Sequence, residues 1–176
     1  MSLNDITLRS LPPQIKRLTR WLLIVLAVGY THGMVFVYVT TGVSPKGIED
    51  RYRGNQAQVQ QQADGAPVIE MKFEKSLSEI LNIIHTHTIS MAMLFAFTSL
   101  IFALTSTVRG GLKRFLLVEP FIAILTSFGS MWLMWKVHPA FSWLLMLSSG
   151  SMAVVFYVTV ALSLRELMMK PADTAR

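Results

Sequence analysis

The residues best suited to chemistry are four histidines. His32 falls in the first long apolar stretch, His85 and His87 in the second, and His138 at the outer end of the third. Ionisable groups in hydrocarbon are expensive and usually mark a cofactor, an ion path or a proton relay. Depth sharpens that reading. With the outer ends of the first two stretches at Thr40 and Leu77, His32 and His85 each lie eight residues in, about 12 Å below the outer boundary at 1.5 Å per residue. By the same count His87 is about 15 Å deep, and His138 is near the surface. Two imidazoles from different helices at one height are what axial ligation of a haem b between those helices requires.

His85 and His87 are two residues apart, roughly 200° around a helix, so they cannot both face one point. The His85 face runs through Ser78, Asn82, Ala92, Ala96 and Ser99, and the His87 face through Ile80, Ile84, Met91 and Leu94. Small residues face neighbouring helices in membranes, which predicts that His85 points into the bundle, with His87 as the alternative ligand. Gly29 and Gly33 flank His32 in a small-x-x-x-small pattern that admits a macrocycle or another backbone; Gly129 and Gly150 offer the same on the third and fourth stretches. The plainer reading is interhelical hydrogen bonding, worth about 0.6 kcal/mol on average. His138 precedes Pro139 and reads as an interfacial loop residue, or as a surface-side partner for His87. Copper or zinc needs three or four converging ligands, which the opposed His85 and His87 do not supply.

Glu119-Pro120 lies four residues into the third stretch. Its carboxylate could cap the helix start and meet Arg114, since helix starts favour acids, or take up protons or hydrogen-bond a quinone. The eleven methionines read as flexible packing. Trp132, Trp135 and Trp143 with Trp21 at the opposite end form interfacial belts. There is no cysteine, which excludes disulfides, iron-sulfur clusters, thiolate zinc and covalent c-type haem.

The elements that must position these groups follow from composition. The chain has 176 residues, 52% of them hydrophobic and 15% charged, against roughly 25% charged in soluble domains. Four stretches reach the roughly 20 residues needed to cross a bilayer: 21–40, 77–105, 115–137 and 143–164. The net charge of +6 is carried by residues beside these spans, so it reports topology and not nucleic-acid binding. Arg9, Lys16, Arg17 and Arg20 precede the first span, without a cleavage site, and Arg109, Lys113 and Arg114 lie between the second and third. Both segments should be cytoplasmic. The 41–76 loop balances five basic with five acidic residues and should face outward. Within it Ser44-Pro45 starts a short helix that Gly54-Asn55 stops, and the Gln56–Gln62 run is polar and without expected structure. Ser76 with Glu79 is a capping box for the second span. The chain is therefore expected to be a single all-α, integral membrane, antiparallel four-helix bundle, N-in/C-in, multi-pass in the inner (cytoplasmic) membrane.

Inner termini, four short-looped helices and facing histidines resemble the small membrane-bound b-type cytochromes across the four spans. The resemblance implies an electron carrier holding haem b near the outer face and exchanging electrons between quinone and other membrane redox subunits or a periplasmic electron-transfer protein. Two-haem members would be expected to carry a ligand pair near each face, and no histidine lies near the inner face here, which argues against a transmembrane two-haem wire. His32 and His85 would be its ligands, and Gly29 and Gly33 would line it. The competing class is a non-catalytic accessory subunit that packs through its glycine-rich faces and docks through the 41–76 loop.

Overall fold

The computed structural model describes residues 7–60 and 70–169. Its elements are α1 (Pro13–Thr41), α2 (Pro45–Arg53), α3 (Gln56–Gln60), α4 (Leu77–Ala103), α5 (Gly110–Lys136) and α6 (Phe141–Met168). Helices α1, α4, α5 and α6, of 27 to 29 residues, are long and apolar enough to cross a membrane. The chain is thus an all-helical four-helix membrane bundle. At 1.5 Å per residue each helix is about 40 Å long, more than the roughly 30 Å hydrocarbon thickness. That surplus explains why α1 starts at Pro13 and not Trp21, α5 at Gly110 and not Phe115, and why α6 runs on to Met168: hydropathy registers the immersed part of a helix, while the backbone ladder continues through charged residues at its ends. Helix α4 instead stops at Ala103. Four crossings return both ends to one side, called inner here from the Lys/Arg asymmetry.

Local chemistry sets the boundaries. Pro13 opens α1 where no donor is needed, and the Gly42 N–H closes it on the Tyr38 carbonyl. Ser44 accepts from the Gly47 N–H to start α2, and Gly54, at φ +79°, ends it. Gly47 packs directly against the Thr41 carbonyl, which a Cβ would overlap. The glutamine run, expected to lack structure, is helical over Gln56–Gln60 because the Asn55 carbonyl accepts from Gln58 and Val59; Gln61, Gln62 and Asp64 lie outside the described residues. Ser76 and Glu79 form the reciprocal capping box of α4.

Helix α6 is the centre of the bundle, with twelve buried residues, whereas α1 is attached at its edge by Leu23, Tyr30 and Thr41. The waist is aromatic: Tyr30 lies 4.2 Å from Phe156 and 6.2 Å from Phe95, centroid to centroid, and Phe95 lies 5.7 Å from Phe156. At the outer end Ile48 and Tyr52 of α2 pack with Met131, Met134 and Leu145 of the α5–α6 hairpin and with Ile83 and Ile84 of α4. Arg53 donates to the Met134 carbonyl, Trp135 to the Lys75 carbonyl and Lys72 to the Thr40 carbonyl. At the inner end the fully buried Glu166 of α6 accepts from Ser106 and Thr107 in the α4–α5 turn.

Candidate functional site

The aromatic waist gives a ruler for the histidines. Tyr30 and Phe95 touch, so they mark one height on α1 and α4. His32 is two residues outward of Tyr30 and His85 ten residues outward of Phe95, which separates them by about 12 Å along the bundle. The outer cluster agrees: Ile84, beside His85, packs with Ile48 just beyond the end of α1. His32 therefore lies well below His85, and the expected level pair does not form within one chain. The spans do not end together on the outer side, because α4 projects past α1 into the cap built by α2.

Facing is the second requirement, and it fails as well. The attached side of α1 carries Leu23 and Tyr30; His32 sits roughly 200° from Tyr30, among Val25, Val28 and Phe36, all more than half exposed. A Cβ added at Gly29 or Gly33 meets nothing within 4 Å, so neither glycine approaches another part of the chain. On α4 the buried line is Ile80, Phe95, Thr98 and Phe102. Next to that line is His87, whose ring lies 6.0 Å from Phe128 of α5 and whose Nδ1 is 2.9 Å from the Ile83 carbonyl. The second span is thus rotated from the expected orientation: the line through Ile80, Phe95 and Phe102 packs, His87 stands at its edge beside Phe128, and both His85 and His87 remain exposed. Bulky side chains fill this interior, and the small-residue stripe does not mark it. His138 sits in the α5–α6 turn, where Nδ1 accepts from the Ala140 N–H at 3.2 Å.

The donor set therefore does not fit a haem held by His32 and His85 of a single chain, since axial ligands must meet one iron along one line. Among the described residues no group of three or more His, Asp or Glu is placed to hold a metal ion.

Glu119 departs furthest from its expected place. Helix α5 starts at Gly110, so Glu119 lies nine residues in, about 13 Å from the helix start, and meets no Arg114. Ser151 of α6 donates to its Oε1 at 2.5 Å, while Oε2 is buried without a partner. Phe115, Val118, Glu119, Ile122, Ala123 and Thr126 of α5, with Ser148 and Ser151 of α6, line a groove of about 370 Å³. The carboxylate is legible in the sequence, and the groove is not. Its signal was the i, i+3, i+4, i+7 recurrence of 115, 118, 119, 122 and 126 on α5, opposite Ser148 and Ser151, three apart on α6.

Residues 42–174 match a family model described as a transmembrane helical domain (Aq_1264_TM). The match covers well over half of the chain, which belongs to that family. It starts at Gly42, directly after α1. Comparison with curated proteins and with solved structures gives no match.

Proposed function

We propose that the chain is a non-catalytic subunit of a larger membrane complex and joins its partner through the outward face of α1. The observation that carries this reading is His32, a polar ring at hydrocarbon depth on the side of α1 turned away from its own bundle. Intramembrane histidines face protein or water and are paired there, so this one calls for a protein surface that the chain does not supply. Gly29 and Gly33 beside it form the small-x-x-x-small pattern that lets a second helix approach closely. The family match, which begins after α1, fits a bundle of α4 to α6 carrying an added docking helix.

The open space around the glycines makes a clean test. The double replacement Gly29→Leu, Gly33→Leu adds side chains that meet nothing in the bundle, so helicity and thermal unfolding should stay as in wild type. On native gels of gently solubilised source membranes, wild type should run in a large complex and the variant as the free subunit. A variant that stays in the complex, or a wild type that runs free, overturns the reading.

The electron-carrier reading remains open in one form, with ligands shared between this chain and a neighbour. It is favoured by the outward placement of both His32 and His85 and by the lack of a hydrogen bond to either ring among the described residues. A visible spectrum of the intact complex, oxidised and then reduced with dithionite, tests it: sharp reduced bands that disappear in His32→Ala support shared haem, and bands unaffected by both His32→Ala and His85→Ala exclude it.

A further inference from the structure

The groove between α5 and α6 is independent of α1. Its rim is hydrocarbon surface, since Phe115, Val118 and Ile122 are all more than half exposed on the outside of the bundle. A molecule reaching it from the side must be lipid-soluble. Its floor holds a carboxyl group with one oxygen occupied by Ser151 and the other, Oε2, buried and unpartnered. An unmet acceptor in this setting carries the full cost of its desolvation. The helix cannot supply a donor at the next position, because Pro120 has no N–H. Two turns further along the groove, Thr126 adds a hydroxyl to those of Ser148 and Ser151.

We infer that this groove binds a lipid-soluble quinol, its ring between Val118, Ile122 and Ala123, one ring hydroxyl donating to Glu119 Oε2 and the far ring oxygen directed towards Thr126. A volume of about 370 Å³ is at the small end of ligand sites and suits a single substituted ring. One free acceptor matches one hydroxyl. An ammonium ion would need several acceptors converging on one point, where Glu119 Oε2 and the Thr126 hydroxyl stand two turns apart, and a phospholipid headgroup would bring a phosphate against the carboxylate. The quinone form has carbonyls in place of the donors, so the site selects the reduced form.

The test is calorimetric titration of the full chain in nanodiscs with a short-chain benzoquinol under reducing conditions and, separately, with the matching quinone. Wild type should bind the quinol about tenfold more tightly than the quinone, the worth of one hydrogen bond to a buried polar group. Glu119→Gln places an amide donor where the acceptor was and should reverse the order. Thr126→Val should weaken quinol binding several-fold, and it serves as the readout if Glu119→Gln does not fold. Equal affinity of wild type for both forms, or quinol affinity unchanged in Glu119→Gln or, failing that, in Thr126→Val, overturns the inference, as does displacement of the quinol by added phospholipid.

Discussion

Removing the Glu166 carboxylate should loosen the inner end of the bundle more than any histidine replacement. Its side chain is fully buried. Ser106 N–H donates to both carboxylate oxygens at 2.8 and 2.9 Å, Ser106 Oγ to Oε1 at 2.8 Å, Thr107 N–H at 3.1 Å and Thr107 Oγ1 at 2.6 Å to Oε2. The two hydroxyls can turn elsewhere, but the two backbone N–H groups cannot. A stranded buried donor costs about 1–3 kcal/mol, so Glu166→Ala should cost about 2–6 kcal/mol. Glu166→Gln keeps one acceptor and should cost about half as much, and Thr107→Val, which removes a single hydroxyl, about 1 kcal/mol. For a chain of this length 1 kcal/mol corresponds to about 2–4 °C in Tm. Thermal unfolding in detergent, followed by tryptophan fluorescence, should therefore place Glu166→Ala at least about 4 °C below wild type, with the order Ala, Gln, Thr107→Val. If Glu166→Ala unfolds together with Thr107→Val, the carboxylate does not hold the α4–α5 turn.

The rotation of α4 predicts unequal histidines: His87→Ala should lose about 1 kcal/mol through its packing on Phe128, while His85→Ala should leave unfolding of the isolated chain unchanged, and the reverse order would show that α4 is turned the other way. Burial raises the Tyr52 phenol above its ordinary value, with Arg51 partly opposing it. A group whose folded-state pKa is raised contributes stability that is complete below the unfolded value, about 10, and is lost as pH rises through the folded value. Unfolding temperature should thus fall above about pH 10, and Tyr52→Phe should remove part of that fall; a variant with an unaltered alkaline profile would refute the assignment.

The spans were legible because a run of about 20 apolar residues has few other uses, and the α2 and α4 starts because Ser44, Ser76 and Glu79 act on their own backbone. Relative height and rotation were not. A count from the span ends puts His32 and His85 level, but α1 stops where α2 packs over Ile84, while α4 runs on outward to the capping box at Ser76. The rule that small residues face helices turns His85 inward, but here Ile80, Phe95 and Phe102 fill the interface and Ala92 and Ala96 stay at its flank. Glu119 was visible as a residue and was misplaced by five positions of helix that carry Lys113 and Arg114.

The polar groups within the spans fall into two sets, and the division bears on where function lies. Those turned inward are mostly answered by the chain: Ser127 pairs with Ser148 at 2.8 Å, Thr31 with Tyr157 at 2.9 Å, Thr98 and Thr159 with carbonyls of their own helices. Ser130 and Ser163 are the buried hydroxyls without a partner, and a hydroxyl can rotate onto a carbonyl one turn back at little cost. The groups that rotation cannot satisfy are His32 and His85 on exposed faces and Glu119 Oε2 at the floor of a groove open to the side. His85 lies level with the outer end of α1, under the α2 cap, but in hydrocarbon no solvent can meet His32 or Glu119. With the partners proposed above, a neighbouring helix at α1 and a lipid-soluble donor at α5–α6, variants on the lateral surface of the bundle should alter assembly and binding while leaving the fold of the isolated chain intact.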